Sequence, residues 1–330
     1  MTLKYILLCF FLVIYMPLTT TQAEFTGDIV YIHPDNATLW RTSTWDGRNA
    51  HHIFTHSQGI EYMAVQKNGP YILIVAMTTG PKLGLDAYLV DRTRPHAKAR
   101  NLTWQRYDSI QGIDISRNGD VVFLSLPSGR KHNRPFGIYL IPREVLENKF
   151  PEAKLLRASE SISSVRWAPD SMHIVYTLIN GDVYIYNAIS GGPSKGVTKD
   201  GHFPVFSPEG DRLAFAHRFR GMNAAISVIS VEPLNRARRL ATVAPIDHVS
   251  SSHFIWAPDG QSIIYNVNGF DRQFHSYRAP LDGGPHEEIF EHLEESPYDF
   301  DWTEVSYAVE PTQKLTTLWG ALKVDNPHSR

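Results

Sequence analysis

The chain has 330 residues, which is long enough for two ordinary domains or for one large β fold. Hydrophobic residues make up 42% of the sequence and charged residues 20%, a globular composition that excludes a disordered chain. The formal net charge is −2 at pH 7, so no nucleic-acid partner is expected.

The first segment, residues 1–23, has the pattern of a signal peptide. Lys4 precedes a short apolar run from Ile6 to Tyr15, and Ala23 is a small residue at the expected cleavage position. The run is too short to span a bilayer comfortably, so we expect a periplasmic or secreted protein without stable membrane insertion. An uncleaved signal anchor is the alternative.

The single cysteine, Cys9, lies within this segment. The exported chain would therefore contain no thiol for a disulfide, a cysteine nucleophile or a thiolate metal site. We expect its core alone to stabilise the fold.

A short phrase recurs along the chain at intervals of roughly 40 to 50 residues, the spacing of four-stranded propeller blades. Each clear copy precedes a run of alternating apolar residues, which predicts a strand. The clear copies are Val165-Arg166-Trp167-Ala168-Pro169-Asp170, Val205-Phe206-Ser207-Pro208-Glu209-Gly210 and Ile255-Trp256-Ala257-Pro258-Asp259-Gly260. Weaker copies begin at Ala64, Asp114 and Asp301.

The chemistry of the phrase fits the innermost strand of a blade. Its large or branched residue would fill the wedge between neighbouring blades; these residues are Val65, Ile115, Trp167, Phe206, Trp256 and Trp302. The prolines have no N–H, which suits a strand whose free edge faces a central channel. The Asp-Gly and Asn-Gly pairs that follow favour a tight hairpin.

These motifs resemble those of the TolB-type propeller, a bacterial repeat family built around a Trp-Ser-Pro-Asp-Gly phrase. The resemblance extends from Asp28 to about Val309. It implies a closed ring of blades, a scaffold commonly used for protein binding in the periplasm. We expect no separate α/β domain before the propeller, a departure from TolB, so the resemblance does not extend to the specific envelope role of TolB.

We therefore predict an all-β fold in which residues 24–330 form one six-bladed propeller of four-stranded antiparallel blades. The N-terminal strands should share a blade with the inner strand at Trp302, which would close the ring. The tail, residues 310–330, is either another closing strand or an appendage. The stretch from Arg143 to Lys149 is interpreted as a loop turn.

The positions just before the wedge residues should converge on one mouth of the channel, although they are far apart in the sequence. Their polar side chains could orient a polar ligand, or simply line a water-filled channel. No cofactor is expected; a divalent metal at this mouth is an alternative, with a precedent in pectate-type lyases on propeller scaffolds. The candidate residues are Glu61, Gln111, His202, His253 and Asp299.

Basic residues in the loops between second and third strands should surround the same mouth. Arg218, Arg220 and Arg272 are the main examples. Arginine binds carboxylate, sulfate and phosphate groups through paired hydrogen bonds, which favours an anionic ligand. Ordinary solvated hairpin tips are the alternative interpretation.

The sequence favours a monomeric, non-catalytic binding or scaffolding propeller whose partner is an envelope or extracellular protein or an anionic glycan. It has no His-Glu-x-x-His motif or P-loop. The alternative is a polysaccharide-processing lyase or hydrolase with its site at the channel mouth. An enzyme should show converged acid, base or metal groups there, whereas a scaffold should show apolar or aromatic surface.

Overall fold

The computed structural model describes residues 27–78, 84–94, 98–127, 134–219, 223–231, 238–246, 249–268, 274–293 and 296–306. The predicted signal peptide and the tail at 310–330 lie outside these residues. In the described part of the chain, no helix is long and apolar enough to cross a membrane.

Twenty-four strands and one short helix succeed one another along the described chain. The first eleven strands are β1 (Asp28–Ile32), β2 (Thr38–Thr42), β3 (His51–Thr55), β4 (Tyr62–Val65), β5 (Tyr71–Met77), β6 (Leu85–Asp91), β7 (Arg100–Asn101), β8 (Ser109–Ile115), β9 (Val121–Leu126), β10 (Gly137–Ile141) and β11 (Lys154–Ala158). The helix α1 (Arg143–Leu146) lies between β10 and β11, in the segment that the sequence predicted as a loop turn.

The remaining strands continue the same pattern. They are β12 (Ile162–Trp167), β13 (His173–Leu178), β14 (Val183–Asn187), β15 (Lys195–Thr198), β16 (His202–Phe206), β17 (Arg212–Phe219), β18 (Asn223–Ser230), β19 (Arg238–Ile246), β20 (Val249–Trp256), β21 (Ser262–Asn268), β22 (Phe274–Pro280), β23 (Glu287–Ile289) and β24 (Phe300–Thr303).

These strands form six four-stranded sheets, which confirms the predicted six-bladed propeller. Blade 1 has the order β24-β1-β2-β3, and blades 2 to 6 begin at β4, β8, β12, β16 and β20. The first strand of each blade is its inner strand, and in blade 1 that strand is β24. Neighbouring strands in every blade are antiparallel.

The two ends of the described chain meet in blade 1, as predicted. Strand β24 pairs with β1 so that Asp28 lies opposite Thr303 and Tyr31 lies opposite Phe300. The Ile32 amide also donates to the Asp299 carbonyl oxygen at 2.9 Å. The strand closest to the channel in this blade therefore comes from the far end of the sequence, and the sheet edge that β1 would otherwise expose is covered.

The hydrophobic core consists of six clusters, one at each interface between neighbouring blades. The last of them joins blade 6 to blade 1 through residues such as Ile264 and Tyr31. All the predicted wedge residues are buried: Val65, Ile115, Trp167, Phe206, Trp256 and Trp302. Because every blade is packed on both faces, the ring closes on itself.

The prediction that the prolines occupy the inner strands is wrong. Most wedge residues end their strands, and the prolines follow in the turn. In one such turn the Gly260 amide donates to the Ala257 carbonyl oxygen at 3.0 Å, so Pro258 is the second residue of the turn. Its fixed φ suits that position. Gly260 itself has a φ of 63°, as the hairpin prediction required.

Candidate functional site at the central channel

The inner strands of all the blades surround a central cavity of about 100 Å³. One part of its lining is charged, with Lys67, Asp114, Arg166 and Asp301. Another part is apolar and includes Val205. The cavity extends from Asp299 to the turns that follow the inner strands, such as those at Pro169 and Pro208.

The charged lining arises from one position of the repeated phrase. The residue before each wedge residue is Ala64, Asp114, Arg166, Val205, Ile255 or Asp301, depending on the blade. Three copies carry an apolar residue there, and three carry a charge. The sequence analysis did not select these charged positions, although their departure from the apolar copies was visible in the alignment of the phrase.

Asp301 connects blade 1 to blade 2. Its carboxylate accepts hydrogen bonds from the backbone amides of Val65 and Trp302, each at 2.9 Å. The Lys67 ammonium group forms an ion pair with the same carboxylate and donates to the Trp302 carbonyl oxygen at 3.0 Å. Since Val65 lies on the inner edge of its blade, the Asp301 side chain supplies a partner that no neighbouring strand provides.

Asp114 makes an equivalent link between blades 3 and 4. It accepts hydrogen bonds from the amides of Trp167 at 2.7 Å and Ile115 at 2.9 Å. Asp114 is half-buried and lines the cavity. Burial raises its pKa; the charge of Asp301 adds to this rise, whereas Arg166 and the Trp167 amide oppose it. Arg166 donates to the Ile113 carbonyl oxygen at 2.8 Å.

At the end where the inner strands begin, the structure brings Glu61 and Asp299 close together. Burial raises the pKa values of Tyr62 and Tyr298, and the charges of Glu61 and Asp299 raise both further. The Asp299 carboxylate accepts a hydrogen bond from the Met63 amide at 3.2 Å. Asp299 is buried, whereas Glu61 is exposed.

Aromatic rings accompany these carboxylates. Phe274, the first residue of β22, packs edge-on against Tyr298 with ring centroids 5.5 Å apart. Tyr62 and Tyr298 are adjacent in the sequence to the predicted site residues Glu61 and Asp299, but neither tyrosine nor Phe274 was predicted as a site residue. Aromatic residues adjacent to the selected polar positions were the signal that the sequence analysis did not use.

The structure places the other predicted site residues in different ways. Gln111 is exposed at a register shift in β8, and His202 is half-buried at a register shift in β16. For His253 in β20 and Arg218 in β17 the structure describes only the backbone. Arg220 and Arg272 lie outside the described residues. The rim that these arginines were predicted to form therefore stays a prediction.

Register shifts explain why the alternation of side chains along a strand does not predict which residues face the mouth. The inner strands β8, β12, β16 and β20 all have an irregular register near their first residues. An inserted residue in a strand changes the direction of the side chains beside it. Within the described residues, no group of three His, Cys, Asp or Glu side chains is arranged to hold a metal ion.

Solved structures share this fold at low sequence identity. TolB from Acinetobacter baumannii matches with a TM-score of 0.63 and 19% identity, over 85% of this chain and 66% of that chain. A putative TolB from Agrobacterium tumefaciens matches with a TM-score of 0.56 and 15% identity, over 80% of this chain and 88% of that chain. The present chain thus spans slightly less than two thirds of the first protein.

Another solved structure has a comparable TM-score at still lower sequence identity. A chain of a nidogen/laminin complex matches with a TM-score of 0.59 and 10% identity, over 84% of this chain and 98% of that chain. No family model and no curated protein matches the sequence. The protein is thus a six-bladed β-propeller that is structurally similar to the propeller of TolB, and identities this low show the fold alone.

Proposed function

We propose that this chain is an exported, non-catalytic binding propeller that recognises a protein or an anionic or polar ligand at the channel mouth. The observation that carries the proposal is the group formed by Tyr62, Tyr298, Phe274, Glu61 and Asp299 where the inner strands begin. Tyrosine offers both apolar surface and a hydrogen-bonding hydroxyl, and it orders at low entropic cost. A group of this kind suits recognition of a polar partner.

The charges deeper in the channel support a structural role for the cavity lining. Asp114 and Asp301 accept backbone hydrogen bonds from the next blade, and Lys67 is paired with Asp301. A general acid or base needs a labile proton within reach of a substrate. These carboxylates are instead engaged in joining blades, which favours binding over catalysis.

The anionic part of the proposal rests on the sequence positions of Arg218, Arg220 and Arg272. Arg218 lies in β17; in the sequence, Arg220 falls between β17 and β18, and Arg272 falls between β21 and β22. Arginines at a mouth would attract negative charge at long range, and added salt would weaken that attraction. Export rests on the signal-peptide pattern of residues 1–23.

Calorimetry with acidic oligosaccharides and with peptides from envelope proteins tests the proposal. Replacing both Tyr62 and Tyr298 by alanine should weaken the binding of an identified ligand by at least about tenfold. The double variant Arg218→Ala, Arg272→Ala should weaken binding and reduce its salt dependence. Met172→Ala, an exposed apolar change in the turn after β12, at the opposite end of the channel, is the matched control.

Two results would contradict specific parts of the proposal. A ligand that binds unchanged after both double substitutions does not occupy this mouth. A ligand that binds unchanged after His202→Ala combined with His253→Ala does not use those histidines. Adding a chelator separates metal-dependent binding from direct binding.

The alternative, a polysaccharide-processing enzyme at the same mouth, is tested in the same samples. A lyase or hydrolase would release new reducing ends from an acidic polysaccharide, and Asp299→Asn would reduce that turnover. Turnover that purifies with the protein and responds to this substitution would replace the binding proposal.

A further inference from the structure

Two large aromatic side chains are exposed next to each other where blades 2 and 3 meet. Trp104, in the connection from β7 to β8, is 44% exposed, and Phe150, in the connection from β10 to β11, is 52% exposed. Their ring centroids lie 5.2 Å apart at an interplanar angle of 64°. We refer to Trp104 and Phe150 together as the aromatic ledge. Neither residue belongs to the channel mouth described above.

The backbone that presents Trp104 is strained. Trp104 has a φ of 52° and the next residue, Gln105, a φ of 53°. This left-handed region costs about 1–2 kcal/mol for each residue with a side chain other than glycine. Two successive residues with positive φ form the centre of a type I′ turn, where Asn-Gly is a preferred pair and Trp-Gln is not. Strain of this kind persists where the surrounding structure enforces it, and it is concentrated at functional sites.

A buried carboxylate enforces the strained conformation. Asp86 accepts hydrogen bonds from the Thr103 hydroxyl at 2.6 Å, the Gln105 amide at 2.8 Å and the Asn101 side-chain amide at 2.9 Å. The Asn101 side-chain oxygen accepts from the amides of Thr103 at 2.9 Å and Trp104 at 2.7 Å. Because Asp86 is buried, the turn is fixed without any contribution from a ligand.

The segment that carries Phe150 is also held in place, by arginines of blade 2 and of the connection that follows it. Arg100 donates to the carbonyl oxygens of Leu146 and Asn148, the latter at 3.1 Å. Arg106 donates to the Pro151 carbonyl oxygen at 2.7 Å. Both halves of the aromatic ledge are therefore positioned in advance, which lowers the entropic cost of binding.

The size of the ledge selects the kind of ligand. An aromatic side chain offers about 150–250 Å², so the exposed fractions of 44% and 52% leave about 200 Å² in total. A standard protein–protein interface buries about 800 Å² on each partner. The ledge therefore matches one or two small rings and is too small for a protein surface.

Charged groups of both signs flank Phe150 in the chain. The Lys149 ammonium group lies 5.3 Å from the Phe150 ring centroid. Exposed Glu152 pairs with Arg134 at 3.0 Å and with Arg106 at 3.5 Å, and Glu147 is equally exposed. A pyranose ring has an apolar C–H face and a circumference of hydroxyl groups that donate and accept hydrogen bonds. Aromatic faces bordered by cations and carboxylates complement both features.

From this arrangement we propose that the aromatic ledge is a saccharide-binding site. The C–H face of one sugar ring stacks on Trp104 and a neighbouring ring or substituent packs on Phe150. Lys149, Glu147 and Glu152 bind the hydroxyl groups. This site is independent of the channel mouth, so it survives if the proposal for the mouth fails.

Fluorine NMR of protein labelled with 5-fluorotryptophan tests the site. The Trp104 resonance is identified by its loss in Trp104→Phe. The probes are cellotriose, maltotriose and chitotriose at up to about 10 mM, which detects a Kd of about 1 mM. We expect at least one trisaccharide to shift the Trp104 resonance, and Phe150→Ala to weaken that binding by about tenfold. Ile179→Ala, at an exposed apolar residue elsewhere, should leave it unchanged.

Three results would overturn the proposal. The first is a Trp104 resonance that none of the trisaccharides shifts. The second is saccharide binding that calorimetry finds as strong in Phe150→Ala and in Trp104→Ala as in the parent protein. The third is a shift caused by a proline-rich peptide but by no trisaccharide, which would assign the ledge to peptide recognition. Both replaced side chains are largely exposed, so a thermal unfolding midpoint close to that of the parent protein confirms that each variant is folded.

Discussion

Among single residues, Trp256 shows what a wedge residue contributes to the fold. Its side chain is 1% exposed, and its indole nitrogen donates to the Val205 carbonyl oxygen of the preceding blade at 3.0 Å. The Arg212 guanidinium group lies 5.0 Å from the indole ring centroid. Packing, a hydrogen bond and a cation–π contact therefore meet in one side chain.

We predict that Trp256→Ala lowers the free energy of unfolding by about 3–5 kcal/mol, because it leaves a cavity between blades 5 and 6. Ile179→Ala should lower it by less than about 0.5 kcal/mol, since Ile179 is 66% exposed. Urea denaturation measures both values. Equal midpoints for the two variants would show that the assignment of buried and exposed positions is wrong.

His56 gives the protein a pH-dependent contribution to stability. It is buried beside Tyr88, with ring centroids 5.0 Å apart, and burial lowers its pKa. The unfolded chain, with a histidine pKa of about 6.5, therefore binds a proton that the folded chain resists. Protonation of His56 therefore does not affect the free energy of unfolding above that pH, and it lowers this free energy as the pH falls below it.

We predict that the unfolding free energy of His56→Gln falls less than that of the parent protein between about pH 7.5 and pH 5.5. His51→Gln is the control, because His51 is exposed in β3. Denaturation midpoints at the two pH values measure the difference. A parent and a His56→Gln protein with the same pH dependence would contradict the burial-based shift.

Much of this residue-level description follows from the sequence, and part of it does not. The wedge residues were predictable because one phrase repeats with a large apolar residue at one position. The role of Asp301 was not, since its partners Val65 and Lys67 come from the opposite end of the chain. A contact across the closure of the ring has no local signal.

At the level of elements, the closing strand β24 is held by side chains as well as by its ladder with β1. Lys67 is paired with Asp301, and the Thr303 hydroxyl donates to the Lys67 carbonyl oxygen at 2.8 Å. Arg92 donates to the Thr303 hydroxyl at 2.7 Å from within blade 2. Blade 2 therefore fixes the strand that completes blade 1.

We predict that Asp301→Ala destabilises the protein by about 1.5–3 kcal/mol, because it removes the acceptor of two backbone amides and the partner of Lys67. Asp301→Asn should cost less, since its oxygen still accepts hydrogen bonds. Glu291→Ala, at an exposed carboxylate, should have little effect. Thermal unfolding orders the three variants, and an Asp301→Ala protein as stable as the Glu291→Ala protein would contradict the role of this carboxylate.

The strand prediction also shows where sequence patterns mislead. Turn residues such as Pro258 were predicted inside strands because the phrase was taken as one element. The structure divides it into the end of a strand and a turn, and the hydrogen bond from Gly260 to Ala257 marks the boundary. The positive φ of Gly260 was predictable, since Asp-Gly is a turn signal.

At the scale of the whole molecule, the closed ring brings Glu61 and Asp299 together across most of the chain. The blade count and the shared blade were predictable from the period of the phrase and from its incomplete copies at the ends. The detailed mouth was not, because register shifts in β8 and β16 change where Gln111 and His202 point. The aromatic ledge had no sequence signal, since it depends on the strained turn at Trp104.

Native-state hydrogen exchange of inner-strand amides tests ring closure most directly. The amides of Val65 and Trp167 lie on the inner edges of blades 2 and 4, and they donate to Asp301 and Asp114 of neighbouring inner strands at 2.9 Å and 2.7 Å. In a closed ring these amides exchange when blades separate, so we predict that they exchange as slowly as the amides of β5 and β13. A Val65 amide that exchanges at the rate of an unprotected peptide, while β5 remains protected, would contradict a ring closed by β24.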